Sequence, residues 1–326
     1  MVNKSEEYVY KICQKSFLSL WGYVNPQARK GKELCDILVV CGNNIIIISV
    51  KDITPSNSGN VDVDWERWRK RAIDSSVKQI YGAERWLTKN KRVITKDGMS
   101  GLPLPPENER TVHRIAVAFG SDGKMGLYYG DFGKGFVHVL DEQAFDTLLA
   151  ELDTISDFLA YLMSKELFFA EGGYAIFEGQ EEDLFALYLK SGRKLPAEPD
   201  LLVIGDDLWK TFIGFSEYQA KKKNEQVSYL WDAIIEAHIR GISSKAENSN
   251  SQIVKFEPAL RELALEDRYW RRVLSQSLLE FLDLAKAKKV RSRIAISAER
   301  KVAYVFLPAW REDDAELRMV ELSARC

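Results

Sequence analysis

The sequence contains few of the residues that commonly build metal and redox centres. Its 326 residues include four cysteines and three histidines. The cysteines form no Cys-x-x-Cys pair, and the histidines show neither HxxxH nor HExxH spacing, which argues against a zinc site and a Ser-His-Asp triad. These residues are Cys13, Cys35, Cys41, Cys326, His113, His138 and His238.

Long apolar runs and a strong net charge are also missing. No apolar stretch approaches the roughly 20 residues that span a bilayer, and the N-terminal segment MVNKSEEYVYK lacks the apolar core of a signal peptide. The net charge is -2, so any basic surface must be local. We therefore expect a cytoplasmic protein with reduced thiols and without a membrane partner.

The residues that are present show clear helical and extended patterns. Hydrophobic residues make up 46% of the chain and charged residues 29%, which is typical of a globular protein. Apolar spacing predicts a helix over 3–21 and two strands, CDILVVCG and NIIIISVKDI, joined by a tight turn at GNN. A long helix over 64–90 and a strand at TVHRIAVAFG follow. Through residue 119 the order is helix, a short strand, two strands, helix and strand.

The rest of the sequence predicts the domain organisation. GLYYG and GFVHVLD indicate further strands, and FDTLLAELDTISDFLAYLMSKELFF indicates a helix. We expect one α/β or α+β domain over 1–170 and a mainly helical domain over 171–326, with a β-hairpin near 291–308. The polar stretch 243–252 indicates a loop or linker, and a final helix is expected from Asp313.

The apolar strand that ends in SVKD carries a lysine whose position needs an explanation. A lysine is almost never fully buried without a partner, so Lys51 is either solvated at the strand end or part of a site. Because side chains alternate along a strand, Ser49 and Lys51 lie on one face. The hairpin brings Asp36, at the start of the preceding strand, back to the same end of the sheet. The sequence therefore places Asp36, Ser49 and Lys51 close together.

These residues and the order of the elements resemble the PD-(D/E)XK superfamily of restriction-endonuclease-like nucleases. That core runs helix, three strands, helix, strand, with an Asp at the start of the second strand and an acid, any residue and Lys on the third. Asp36 and Ser49-Val50-Lys51 match these positions, and the resemblance covers about residues 4–120. It implies a mixed sheet flanked by helices and a nuclease, acting on DNA, of the kind that serves restriction, repair or defence against phage.

The resemblance also implies roles for individual residues. Phosphodiester hydrolysis would use Mg²⁺ or Mn²⁺, which prefers hard oxygen ligands. Asp36 would be a ligand, and Lys51 would orient or deprotonate the attacking water or stabilise the developing charge. Many members add a Glu from the first helix, which Glu7 or Glu6 matches, and a Gln from the helix after the third strand, which Gln79 matches. The predicted catalytic residues are Asp36, Lys51, Glu7 and Gln79.

Ser49 departs from the family pattern, because it stands where the second acid is expected. The predicted metal ligands are Asp36, Glu33 and Ser49, with Glu33, Glu7 or Asp52 supplying the missing carboxylate. Two alternatives stay open at this point. The fold could have lost its metal and bind nucleic acid or a protein partner, or the motif could be a coincidence in an α+β scaffold. A protein partner or a homodimer is also left open.

The long helix carries the strongest local charge. Between residues 64 and 92 there are nine Lys or Arg and four acids, a local charge of +5. Three tryptophans are interleaved with them, and basic residues with aromatics can follow a phosphate backbone and stack on bases. The alternative is an amphipathic helix with a charged outer face and aromatic inner anchors. The predicted nucleic-acid contacts are Arg67, Arg69, Lys70, Arg71 and Lys78.

Overall fold

The computed structural model describes residues 4–29, 31–121, 129–170, 174–196, 201–244 and 249–308. This part of the chain contains eleven α-helices and fourteen strands. The helices are α1 (Lys4–Phe17), α2 (Val61–Arg69), α3 (Ser75–Leu87), α4 (Glu142–Glu151), α5 (Ile155–Ala170), α6 (Glu181–Lys190), α7 (Leu208–Ile213), α8 (Ser216–Glu225), α9 (Tyr229–Ser244), α10 (Ser249–Ala264) and α11 (Arg268–Lys286). The strands are β1 (Gly22–Val24), β2 (Gln27–Arg29), β3 (Lys32–Glu33), β4 (Ile37–Cys41), β5 (Asn44–Asp52), β6 (Arg92–Ile94), β7 (Ser100–Pro103), β8 (Thr111–Phe119), β9 (Gly130–Asp131), β10 (Phe136–Leu140), β11 (Tyr174–Phe177), β12 (Leu201–Ile204), β13 (Arg293–Ser297) and β14 (Val302–Phe306).

A six-stranded mixed sheet organises the first half of the chain. Its strand order is β1-β4-β5-β8-β10-β9. β4 pairs antiparallel with both β1 and β5, whereas β5, β8 and β10 run parallel to one another. The carboxyl ends of these three parallel strands therefore lie at one edge of the sheet, and Lys51 and Asp52 close β5 at that edge.

The central hairpin forms where the sequence predicts it. Isoleucine and valine dominate β4 and β5, and such β-branched side chains favour extended backbone. The connecting turn contains Gly42 at φ +58, a left-handed conformation that glycine adopts without steric cost. Ile37 pairs with Ile48, so Asp36, one residue earlier, lies opposite the end of β5.

Helices cover both faces of the sheet, which gives three layers. On one face, alternate residues of β5 such as Ile46 and Ile48 pack with α1, α4 and α5. On the other face, Ile45 and Ile47 pack against Trp68 of α2 and against α3. Full burial of both faces explains the near-continuous apolar sequence of these strands. The predicted mixed α/β sheet flanked by helices is confirmed.

The C-terminal half is mainly helical and shares a core with the first half. One hydrophobic cluster includes Phe158 and Leu162 of α5 together with Phe185 of α6. Polar contacts also cross the expected boundary at residue 170: the Lys165 ammonium lies 2.6 Å from the Glu181 carboxylate, and both side chains are buried. β13 and β14 form the hairpin that was expected near 291–308.

Several elements differ from the sequence predictions. The helix predicted over 64–90 is interrupted by a π-helical turn at Lys70–Asp74. The apolar segment that follows Asp141 forms two helices, α4 and α5, and not one. The parallel pair β11–β12 was not predicted. α10 begins inside the stretch that was predicted to be a loop.

Some expectations fall on parts that are not described. Most of GLYYG, the helix expected from Asp313 and the thiol of Cys326 lie outside the described residues. Cys13, Cys35 and Cys41 are buried free thiols. Among the described helices, none is long and apolar enough to cross a membrane.

Candidate functional site

Four polar side chains from three separate elements meet at the carboxyl edge of the sheet. Asp36 precedes β4, Ser49 and Lys51 lie on one face of β5, and Gln79 lies on α3, which covers that face. The Lys51 Nζ atom is 3.6 Å from Asp36 Oδ2. The structure therefore brings together Asp36, Ser49, Lys51 and Gln79, and we call these four residues the strand-end cluster.

Asp36 is the buried acid of this cluster. Its side chain is 3% exposed, and its Oδ2 atom accepts a hydrogen bond of 2.6 Å from the backbone N–H of Val50. A buried carboxylate is costly unless it is paired and hydrogen-bonded. Val50 and Lys51 meet this need from β5, and Gln79 Nε2 donates to Oδ1 at 3.3 Å.

Gln79 connects the other members. Its Oε1 atom accepts hydrogen bonds from the Ser49 hydroxyl and from the Lys51 ammonium, each at 2.9 Å. The Lys51 side chain is 28% exposed, so it has a partner on the protein side and also reaches solvent. Both explanations of a strand-end lysine therefore apply here: Lys51 is partly solvated and it belongs to a built polar cluster.

Ser49 lies too deep to act as an open ligand. It is fully buried, and its hydroxyl donates to Gln79. Ser49 occupies the motif position where the family has an acid, but its hydroxyl makes a hydrogen bond inside the protein, as a structural serine does. This placement does not favour the role of metal ligand that the sequence suggested for Ser49.

Glu33 lies next to the cluster on the solvent side. Burial together with the nearby Asp36 carboxylate raises the pKa of Glu33 to about 7, and the charge of Glu6 contributes in the same direction. A hydrogen bond of 3.0 Å from Asn25 Nδ2 opposes this shift. Two carboxyl groups that disfavour each other's charge are typical of a place that takes up a proton or a cation.

The first helix contributes a different acid from the one preferred from sequence. Glu7 is exposed and pairs with Lys11 on its own helix at 2.8 Å. The charge of Glu6, one residue earlier, acts on Glu33. Asp52 lies on the opposite face of β5 and accepts a hydrogen bond from Ser5. The structure thus brings neither Glu7 nor Asp52 into the strand-end cluster.

The fit to a divalent cation is partial. Mg²⁺ in proteins commonly takes one or two carboxylates and keeps several waters, and Asp36 and Glu33 supply two neighbouring carboxyls. Burial first, and the neighbouring Asp36 carboxylate second, raise the pKa of Glu33, so a bound cation would favour its ionised form. Among the described residues, no group of three or more His, Cys, Asp or Glu side chains is arranged to hold a metal ion.

The basic residues of the long helix divide into two groups. Arg67, Lys70, Arg71 and Lys78 are exposed. Arg69 is half-buried and pairs with Asp74 at 3.1 Å, so its charge is largely used within the protein. Lys70 lies 3.7 Å from Glu66, but both side chains are exposed and such a pair is weak. The four exposed side chains can therefore contact phosphates.

The tryptophans of this region are anchored in the fold. Trp68 is buried, and its Nε1 donates to the backbone oxygen of Ile53 at 2.9 Å. Trp65 stacks on Trp68, and Trp86 donates from Nε1 to the backbone oxygen of Ala28. These contacts are those of the amphipathic alternative, in which the aromatics are inner anchors and the charges form the outer face.

The structure also joins two histidines that are far apart in sequence. His113 Nδ1 and His138 Nε2 each lie 2.9 Å from Glu166 Oε1. Burial alone would raise the pKa of Glu166, but the hydrogen bonds to the two histidines outweigh it and lower the pKa to about 2. Sequence spacing gave no sign of this group, because β8 and β10 become neighbours only in the sheet and Glu166 comes from the separate helix α5.

Searches of protein-family models, of curated proteins and of solved structures found no match.

Proposed function

We propose that the protein is a metal-dependent nuclease that hydrolyses phosphodiester bonds in DNA, with a divergent PD-(D/E)XK site at the carboxyl edge of the sheet. The observation that carries this proposal is the contact of Asp36, Lys51 and Gln79, which come from three separate elements. The order of the elements around them, helix, three sheet strands, helix and strand, supports it. A coincidental motif would not require the three side chains to meet.

The chemistry needs charge relief at a phosphate and a positioned water. A divalent cation, when bound, supplies both, and Asp36 and Glu33 are the side chains that would hold it. Lys51 presents a positive charge beside them, which stabilises negative charge that develops on the phosphate oxygens. Gln79 positions Lys51, because its Oε1 fixes the ammonium at 2.9 Å while its Nε2 holds Asp36.

The substrate class is supported by the surface next to the site. Arg67, Lys70, Arg71 and Lys78 are exposed on the helical segment that covers the face of Ser49 and Lys51. Exposed basic residues bind the phosphate backbone without regard to sequence. The overall charge of -2 makes this local concentration the part of the chain that favours a polyanion.

A second candidate is a nuclease fold that binds nucleic acid without cutting it. One observation favours it: Ser49 replaces the second acid, and its buried hydroxyl is already used by Gln79. In that case the strand-end cluster would be a satisfied polar network, and Lys51 would contact a phosphate.

Cleavage assays distinguish the two candidates. Wild type, Lys51→Ala and Asp36→Asn are tested on linear, supercoiled and single-stranded DNA and on RNA, with Mg²⁺, Mn²⁺ or EDTA. Lys190→Ala, which removes an exposed lysine at the end of α6, is the matched control. The proposal expects metal-dependent cleavage that is lost in the first two variants and kept in the control.

The other results are equally informative. Cleavage that survives both Lys51→Ala and Asp36→Asn places the activity elsewhere and contradicts the proposal. Binding of DNA without cleavage under any metal condition favours the second candidate. Thermal unfolding followed by circular dichroism verifies that each variant is folded.

A further inference from the structure

A pocket of about 460 Å³ opens at the same edge of the sheet as the strand-end cluster. This volume lies within the roughly 300–1,000 Å³ of small-molecule sites. The pocket is formed where β8 and β10 end and where α4 and α6 begin. Its described lining includes Ala118, Asp141, Gln143, Gln180 and Glu182.

The sheet register connects this pocket to the candidate site. Ala118 lines the pocket, and on β5 its partner is Lys51. On the other side of β8, Leu140 pairs with Val117, so Asp141 follows beside Ala118. With strands about 4.8 Å apart, the backbones of Lys51 and Asp141 are about 10 Å from each other. A ligand in the pocket would be a close neighbour of a group bound at Lys51.

One polar side chain in the pocket lacks a partner. Glu182 is 3% exposed, and its Oε1 atom is buried without a hydrogen bond. A buried polar atom without a hydrogen bond is unfavourable, so a ligand that donates a hydrogen bond here would remove a penalty already present. Burial, with the charges of Asp141, Glu181 and Asp183, raises the pKa of Glu182 to about 7.

The lining chemistry indicates which ligand fits. Among the described lining residues none is Lys or Arg, so a phosphate or carboxylate has no cationic partner there. The first turns of α4 and α6 also border the pocket, and their positive dipole ends offset part of the negative charge of the four acids that line it, Asp141, Glu142, Asp146 and Glu182. Gln143 and Gln180 offer amide donors and acceptors together. A polar, planar ligand without negative charge, whose N–H groups donate to the Glu182 carboxyl and to the glutamine amides, fits this lining.

We propose that this pocket is a nucleobase subsite that accepts a base with an exocyclic amino group, next to the phosphate held at Lys51. The inference rests on the proposed nuclease function. The amino group of cytosine would donate to Glu182, just as acidic side chains accept from cytosine N4 elsewhere. Uracil has the same size and shape but presents a carbonyl at that position, and at about pH 8, above the pKa of Glu182, where the test is made, this carbonyl faces a carboxylate that can only accept.

The test compares these two bases directly. Fluorescence anisotropy measures binding of short single-stranded oligonucleotides that differ only in deoxycytidine or deoxyuridine, in EDTA and in Ca²⁺. Single strands avoid the cost of extracting a base from a duplex. We expect wild type to prefer deoxycytidine about tenfold, and expect Glu182→Gln to lose this preference.

Two further variants keep the test decisive. Gln143→Trp places bulk at the exposed mouth of the pocket and is expected to remove the preference even if Glu182→Gln folds poorly. Glu109→Gln removes an exposed acid outside the pocket and is expected to keep it. Lys51→Ala is expected to weaken both oligonucleotides equally, because it removes a phosphate contact.

The outcomes separate this inference from the proposed function. Equal binding of both oligonucleotides by wild type that still cleaves DNA overturns the subsite and leaves the nuclease standing. Absence of both binding and cleavage overturns both. A third outcome is that wild type binds spermidine, that Glu182→Gln does not, and that neither discriminates between the two bases. The pocket would then be a cation site, which overturns the proposed nucleobase subsite.

Discussion

Replacing Asp36 by alanine is expected to destabilise the fold and not only to remove a charge. Asp36 Oδ2 is the acceptor for the backbone N–H of Val50, which is 1% exposed. Without it this N–H stays buried and unsatisfied, at a cost of about 1–3 kcal/mol, and hydrogen bonds to charged groups lie at the upper end of that range. Lys51 and Gln79 are partly exposed and can turn to water. We therefore expect a loss of about 2–3 kcal/mol in the free energy of unfolding.

The matched change is Asp36→Asn. Its side-chain oxygen can still accept from Val50, so the loss in stability should be below about 1 kcal/mol. Both variants are unfolded with urea in EDTA and followed by tryptophan fluorescence, with the exposed Asp206→Ala as control. An Asp36→Ala variant within about 0.5 kcal/mol of wild type, or an equal loss in both variants, would refute the reasoning, since typical surface changes fall within that margin. The result also decides how a cleavage assay is interpreted, because only Asp36→Asn removes the charge while keeping the hydrogen bond.

Three further predictions concern acidity, a buried ion pair and the basic surface. Because Glu33 has a pKa of about 7, binding of Mn²⁺ near neutral pH should release a proton, and the affinity should rise as the pH rises through 7. Calorimetry in buffers of different ionisation enthalpy measures the proton release, which Glu33→Gln should abolish. Lys165→Met should lower the free energy of unfolding in urea by about 3–5 kcal/mol, because it leaves the buried Glu181 carboxylate without its cation. The double variant Lys165→Met/Glu181→Leu should lose less stability than Lys165→Met alone, and a loss equal to the sum of the two single losses would contradict this. Lys70→Ala and Lys78→Ala should each lower the slope of log affinity for DNA against log salt by about 1, and an unchanged slope would remove these lysines from the interface.

The pH dependence of stability should reflect His138, which lies 2.9 Å from Glu166. Burial lowers the pKa of His138, although Glu166 opposes the shift. A histidine that is held neutral in the folded state contributes fully above its unfolded pKa of about 6.5, and stability is lost as the pH falls below that value. His138→Gln should flatten the acid limb of the pH–stability curve, and an unchanged limb would contradict the assignment.

The local order of the N-terminal half followed from the sequence. β-branched runs, a GNN turn and helical apolar spacing are short-range signals, and they predicted α1, β4, β5 and β8 close to their observed bounds. The break between α4 and α5 was missed, although a signal was present. Thr154 accepts a hydrogen bond from the backbone N–H of Asp157, so the pattern Thr-x-x-Asp marks a helix start inside an apolar periodicity that otherwise continues.

The site could be predicted only in part. Alternation along β5 and the turn that follows β4 sufficed to place Ser49 and Lys51 near Asp36. From the sequence, Glu7 was chosen as the acid of the first helix, but the structure pairs Glu7 with Lys11 and it is the charge of Glu6 that acts on Glu33, because the rotation of α1 decides which acid faces the site. The raised pKa of Glu33 likewise depends on burial by neighbours that the motif does not contain.

The sequence by itself determined the helices and strands and which residues share a face within each of them. These features depend only on the side-chain repeat, which is two residues in a strand and 3.6 residues in a helix. Apart from the β4–β5 hairpin, which its turn predicts, only the tertiary structure decided which elements became neighbours. The register of β8 between β5 and β10 places Ala118 beside Lys51 and brings His113 and His138 to one carboxylate. These contacts join residues dozens of positions apart. Their register depends on which faces of distant strands are buried together, and the pattern within one strand does not specify its neighbour.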